Sequence, residues 1–158
     1  MGTGRVCGIY TAPAEGAPMV GHDAIEAFAG KGLSGDRYAI PAGTYTGMRL
    51  EDAQRAVTLF ERENLDYLER EHGIVLTPEQ TRRNLLVEGV PLNDLIGVEF
   101  TVGGVPLRGV DLAHPCSYLQ DLTEPGVLRG LQDRGGLRCE ILADGVISVG
   151  DPVTTPTR

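Results

Sequence analysis

Short apolar runs, each cut off after a few residues by glycine or proline, recur along this chain and set the limits on its fold. They cover Val6 to Tyr10, Ala24 to Phe28, Val57 to Phe60, Leu85 to Val87, Val98 to Val102, Val105 to Val110, Leu137 to Leu142 and Val146 to Val149. Each is the length of a strand and too short for a core helix, and 22 glycines supply the turns between them. Helical signals are brief. Glu61 to Glu71 is charged, with Leu65 and Leu68 three apart, and ends at His72-Gly73, a cation and a glycine suited to a helix C-terminus. Thr77-Pro-Glu-Gln80 has a threonine cap, proline at the first position and a capping-box glutamine. Pro91 to Leu95 and Gly126 to Asp133 fit single turns or short helices. Many strands with few helices between them imply a β-rich α+β fold, an antiparallel or mixed barrel rather than a doubly wound sheet.

Two hairpins are expected from turn chemistry. Phe100 to Leu107 carries a Gly-Gly connection, and Ile141 to Ile147 carries Asp144-Gly145, a pair suited to a type I′ turn. Pro106 cannot donate a ladder hydrogen bond, so its strand is expected at an edge or bulged there. No repeat or composition shift marks a boundary, and 158 residues suffice for one domain with a substantial core. The expectation is a single domain over 1–158, with a core of about 6–153 and an insertion of about 39–54.

A net charge of -8 leaves no basic footprint for nucleic acid. No stretch approaches the roughly 18 apolar residues of a membrane span, and no apolar run follows a basic start. Three cysteines at irregular spacing form no disulfide framework, so a reducing, cytoplasmic setting is expected, without nucleic-acid or membrane partners. Lys31, between glycines, is the only lysine, which disfavours a Schiff-base enzyme; covalently bound pyridoxal phosphate is not expected. All other cationic side chains are arginine, whose planar fork suits carboxylate or phosphate.

Cys116, in Asp111-Leu-Ala-His-Pro-Cys-Ser-Tyr118, follows a proline and a histidine and lies outside any regular segment. A loop thiol near a potential cation can be held as thiolate, the form that attacks electrophiles or binds soft metals; the plainer alternative is a small buried residue. Cys139 and Cys7, in apolar runs, read as core. His114 can favour the Cys116 thiolate or shuttle a proton, or be a hydrogen-bonded, half-buried residue. Zinc does not suit the chain, because His22, His72 and His114 are scattered.

Gly32-Leu-Ser-Gly-Asp-Arg37 is either a glycine loop that offers amides and Arg37 to an anion or a tight turn with an Asp36–Arg37 pair. It is neither a Walker A loop nor a dinucleotide fingerprint. Arg82, Arg83 and Asn84 precede a strand and can hold phosphate or carboxylate, or be solvated loop charges. Arg134-Gly135-Gly136 has the same two readings.

Taken in order, Gly32-Leu-Ser-Gly-Asp-Arg37, Val57-Thr-Leu59 followed by Glu61 to Glu63, Arg82-Arg-Asn-Leu-Leu-Val-Glu-Gly89, Leu95-Ile-Gly97, Val102-Gly103, His114-Pro-Cys116, Arg134-Gly-Gly136 and Gly145-Val-Ile-Ser-Val-Gly-Asp151 resemble a stand-alone MOSC domain, the family homologous to the C-terminal part of molybdenum cofactor sulfurase. The resemblance implies a compact β-barrel and molybdenum cofactor (molybdopterin) binding. It makes Cys116 the metal ligand or a persulfide carrier, assisted by His114. Gly35, Asp36, Arg37, Arg82, Arg83, Asn84, Arg134, Gly135 and Gly136 are then the candidates around the anionic pterin. Three functions follow as expectations: a cofactor-binding domain reducing N-hydroxylated compounds with a separate electron donor; a sulfur carrier loaded by a cysteine desulfurase; or a non-enzymatic carrier or interaction module. Tyr38 stands where many relatives carry histidine, a departure from the pattern.

Overall fold

The computed structural model describes residues 2–14, 16–36, 56–113, 123 and 125–156. The expected insertion over 39–54 lies outside them, as do Arg37, Tyr38, His114 and Cys116. Strands β1 (Gly2–Thr11), β5 (Val57–Glu61), β6 (Leu85–Glu88), β7 (Glu99–Val102), β8 (Val105–Leu112), β9 (Leu137–Ile141) and β11 (Pro152–Thr155) form one sheet in the order β11-β7-β8-β9-β5-β6-β1. It closes on itself because β11 also pairs antiparallel with β1, Gly2 opposite Thr155, so both edges of that run are satisfied. β2 (Val20–His22) adds to β1 outside the closed ring. β5 and β6 run parallel and the other pairs antiparallel, the mixed barrel expected from the run lengths.

Alternation along the strands sorts their side chains. Val57, Leu59, Leu85, Val87, Leu107, Leu137, Cys139 and Ile141 belong to the barrel core, while Phe60 and Leu86 join Leu68, Ile74, Leu76, Val127 and Leu131 in a second cluster. β5 is therefore covered on both faces, which explains why Val57-Thr-Leu-Phe60 is buried throughout instead of alternating. Helix α1 (Arg62–His72) supplies Leu68 to that outer cluster, with Leu65 partly buried against it. The helix stops at Gly73, whose φ of 66° makes the left-handed cap expected from His72-Gly73. The Thr77–Gln80 capping box closes a 3₁₀ turn, Pro78–Thr81; Leu92–Leu95 is a second such turn, and α2 is Val127–Gly130. Each fully buried leucine contributes about 1.5–3 kcal/mol of burial free energy. No helix among the described residues is long and apolar enough to cross a membrane.

The Gly-Gly hairpin forms as expected, with Val102 opposite Val105. The Asp144-Gly145 hairpin does not. Neither residue has the positive φ a type I′ turn demands, and β10 (Gly145–Ser148) pairs instead with β3 (Ala24–Phe28), which also carries β4 (Gly32–Leu33). Asp144 Oδ1 accepts from the Ala29 amide at 2.7 Å, so the aspartate serves that small sheet. Pro106 is not at an edge either, since β8 lies between β7 and β9. Its carbonyl accepts from Leu142 N at 2.9 Å, just past the end of β9, so its missing N–H falls where that ladder is ending. The irregularity in β8 comes later, between Gly109 and Asp111.

Candidate functional site

Two of the polar motifs, Arg82-Arg-Asn84 and Arg134-Gly-Gly136, meet at the backbone where β8 ends and β9 begins. Arg83 carries the junction. Its Nε donates to the Gly135 carbonyl at 2.7 Å and its Nη2 to the Ala113 carbonyl at 3.1 Å, while Ala113 N donates to the Gly136 carbonyl at 2.8 Å. A fixed guanidinium fork serves two carbonyls from separate segments, a geometry a lysine ammonium does not reproduce. His114 follows Ala113 in the chain, so this junction marks where the His114-Pro-Cys116 segment starts.

Arg82 turns away from Arg83. The 3₁₀ turn before it ends with Arg82 itself in the left-handed region, φ 60°, and its Nη1 donates to the Ala17 carbonyl at 2.6 Å. It lines an open cleft of about 330 Å³ with Met19, Glu79 and Thr123. Ala113 and Thr123 bracket the segment that holds Cys116, so one arginine touches the near bracket and the other shares a cleft with the far one.

Asn84 is fully buried and bonds to the barrel's own backbone. Its Oδ1 accepts from Thr58 N at 3.0 Å and from Thr58 Oγ1 at 3.2 Å, and its Nδ2 donates to the Tyr10 carbonyl at 3.0 Å. The parallel β5–β6 ladder begins only at Leu85, and the Asn84 side chain extends it by one position. Asp36 is also buried, and its Oδ1 accepts from Ala12 N at 3.0 Å, which sews the Gly32 to Asp36 loop to the end of β1. Gly35 is exposed at φ 78° with open space where a Cβ would stand.

In the 134–136 stretch the residues have separate tasks. Gly135 accepts from Arg83. Gly136, at φ 107°, packs so closely on β5 that an added Cβ would lie 2.1 Å from the Leu59 carbonyl oxygen. Arg134 points to α1, where Nη1 donates to Asn64 Oδ1 at 3.0 Å and the guanidinium carbon lies 3.7 Å from the Tyr67 ring centroid. The structure thus brings Arg83, Gly135 and Gly136 together with Ala113, but gives Arg134 different partners.

Sequence reading gave no site role to Glu61, Asn64 and Tyr67, which line a polar cleft with Arg134. Their spacing of three put them on one helical face, a signal that was available; nothing local indicated that Arg134 would meet them.

Of the other cysteines, Cys139 is wholly inside the barrel, and burial pushes its thiol far above the ordinary range. Cys7 corrects the expectation of a core residue. It is half-buried and packs against the outer cluster, because a bulge between Val6 and Gly8 shifts the alternation and lets Val6 and Ile9, three apart, both face the barrel core. Burial, and then the Glu88 carboxylate, raise the Cys7 thiol pKa. In native Cys116→Ser protein, iodoacetamide is therefore expected to leave Cys139 unmodified. It should label Cys7 only slowly, with the rate still rising at pH values where a free cysteine has levelled off; mass spectrometry of timed samples checks both. Among the described residues no group of three or more His, Cys, Asp or Glu is placed to hold a metal ion.

The family model described as the MOSC domain matches residues 30–154. No curated protein matches the chain at a significant level. Among solved structures, the YuaD protein of Bacillus subtilis is similar over 98% of this chain and 97% of its own, with a TM-score of 0.78 and 22% identity. YiiM from Geobacillus stearothermophilus has a TM-score of 0.70 and 17% identity over 98% of this chain and 76% of its own. YiiM from Escherichia coli has a TM-score of 0.68 and 20% identity over 98% and 70%. At these identities the likeness is one of fold.

Proposed function

Since the chain belongs to the MOSC domain family, we propose that it binds a molybdenum cofactor, with the Cys116 sulfur as the protein's ligand to the metal. The observation that carries this reading is the family match over 30–154, a span that contains Cys116, both arginine motifs and the Arg83 junction. A thiolate is a fitting donor for a soft, sulfur-rich metal centre. The described residues suit the anionic part of such a group: Arg82 lines an open cleft with Thr123, which follows the Cys116 segment in the chain, and Arg83 bonds to the carbonyl of Ala113, which precedes it. Asp36 bonds instead to the Ala12 amide and Asn84 to Thr58 and the Tyr10 carbonyl, so among the described residues the work of contacting a pterin and its phosphate falls to Arg82, Arg83 and backbone amides near Gly135. When bound, the cofactor supplies a metal that exchanges electron pairs and oxygen.

The reading extends to N-hydroxylated substrates. Such a compound takes up two electrons from a separate donor protein and two protons, and leaves as the amine and water. His114, two residues from the ligand, is the candidate for handling a proton.

Protein purified from a cofactor-producing host is expected to contain about one molybdenum and one pterin per chain, and Cys116→Ser to lose the metal. Retention of molybdenum by Cys116→Ser overturns the ligand assignment. A cyanide-labile sulfur on Cys116 without metal overturns it in favour of sulfur carriage, with a cysteine desulfurase as the donor. Absence of both leaves an interaction module.

A further inference from the structure

The cleft between α1 and the loop before β9 lies apart from the Arg83 junction and has a volume of about 420 Å³, within the usual range for small-molecule sites. Glu61, Asn64, Tyr67, Asn93, Asp133 and Arg134 line it. Its central feature is a guanidinium held in place before any ligand arrives. Arg134 stacks on Tyr67 and donates one Nη1 hydrogen to Asn64, and buried Asn64 returns its Nδ2 to the Arg134 carbonyl at 3.5 Å. The other N–H groups of that guanidinium have no protein partner among the described residues.

Two carboxyl groups share the cleft. Glu61 is half-buried, and burial, followed by the neighbouring Glu63 carboxylate, raises its pKa while the Arg134 charge pulls the other way. Asp133 adopts a left-handed backbone, φ 61°, with its carbonyl bonded to Asn93 Nδ2 at 2.9 Å. Neither carboxyl group closes an ion pair with the arginine. Opposite charges that line one cavity without joining leave room for a molecule between them. A simple anion would meet two carboxylates there, and a simple cation would meet the guanidinium. A molecule with both charges a few atoms apart satisfies each wall.

We propose that this cleft binds a small zwitterion of the α-amino-acid class, its carboxylate on the Arg134 fork and its ammonium between Glu61 and Asp133. The assignment does not depend on what Cys116 holds, so protein with or without cofactor serves for the test. In NMR titrations, glycine or L-serine is expected to saturate shifts of the Asn64, Asn93 and Arg134 resonances with a Kd below about 1 mM. Acetate and methylammonium, each carrying one of the two charges, should bind at least tenfold more weakly. Arg134→Gln and Glu61→Gln should each lose at least tenfold in glycine or serine affinity, and Arg134→Lys should keep part of it, because the charge remains while the stacked fork is lost. The double variant Glu61→Gln/Asp133→Asn leaves the Arg134–Asn64–Tyr67 brace intact and tests the ammonium side even if Arg134→Gln does not fold. The proposal is overturned if neither zwitterion saturates at about 10 mM, or if acetate binds as well as glycine and the double variant is unaffected, which would make the cleft an anion site.

Discussion

Asn84→Ala is expected to destabilise the protein by about 2–6 kcal/mol, a large share of the roughly 5–15 kcal/mol that holds a domain folded. The substitution removes both bonds that Oδ1 accepts from Thr58 and the one that Nδ2 donates to Tyr10. It leaves a backbone N–H and a backbone carbonyl, both on the barrel wall, without those partners, at about 1–3 kcal/mol each. Asn84→Asp sharpens the test. A carboxylate still accepts from Thr58 but has no hydrogen to offer the Tyr10 carbonyl, and it brings an unpaired charge into a fully buried position. Asn84→Asp should therefore be no more stable than Asn84→Ala at pH 7, despite its closer shape. Urea unfolding of the three proteins measures this; an Asn84→Ala midpoint within error of the parent would show that the side chain is not holding the wall together.

Gly136→Ala should be about as damaging, for a different reason. The new methyl would stand 2.1 Å from the Leu59 carbonyl oxygen, and both groups are backbone, so no side-chain rotation relieves the overlap. The residue also has a φ of 107°, outside what alanine readily adopts. Overpacking and backbone strain each cost about 1–3 kcal/mol, for a combined loss of about 2–6 kcal/mol. The displacement reaches the candidate site, because Gly136 accepts from Ala113 and Gly135 accepts from Arg83. Gly35→Ala is the control. Gly35 has a similar positive φ, 78°, but open space around it, so only the backbone preference of about 1–2 kcal/mol is lost. If the two alanine variants unfold at the same urea concentration, contact with β5 is not what demands glycine at 136.

Elements were legible in the sequence where the signal is local. Strand runs, the α1 cap at Gly73 and the Thr77–Gln80 capping box depend on residues within one or two turns of each other, and all appear in place. Partners were not legible. Asp144-Gly145 has the chemistry of a hairpin turn, but β10 pairs with β3 more than a hundred residues earlier, and period-two alternation is silent about which neighbour a strand chooses. The same gap affected the polar motifs. Arg-Arg-Asn reads as one anion-binding cluster, yet in space Arg82 reaches Ala17, Arg83 reaches Gly135 and Ala113, and Asn84 turns to Thr58 and Tyr10. Cys7 was misread because one bulged residue reverses the faces of a strand, and nothing in Val6-Cys-Gly-Ile9 announces a bulge.

Closure of the barrel through β1 and β11 has a kinetic side. As β1 emerges from the ribosome, one of its edges has no permanent neighbour until residues 152–155 have been made, so it stays open to wrong partners for most of synthesis. β6 can cover the other edge much earlier, and β2 can shield the stretch near Thr11. Gly2 to Arg5 is the part left waiting for β11, and in it the chain uses two glycines and an arginine where a longer apolar run would invite aggregation.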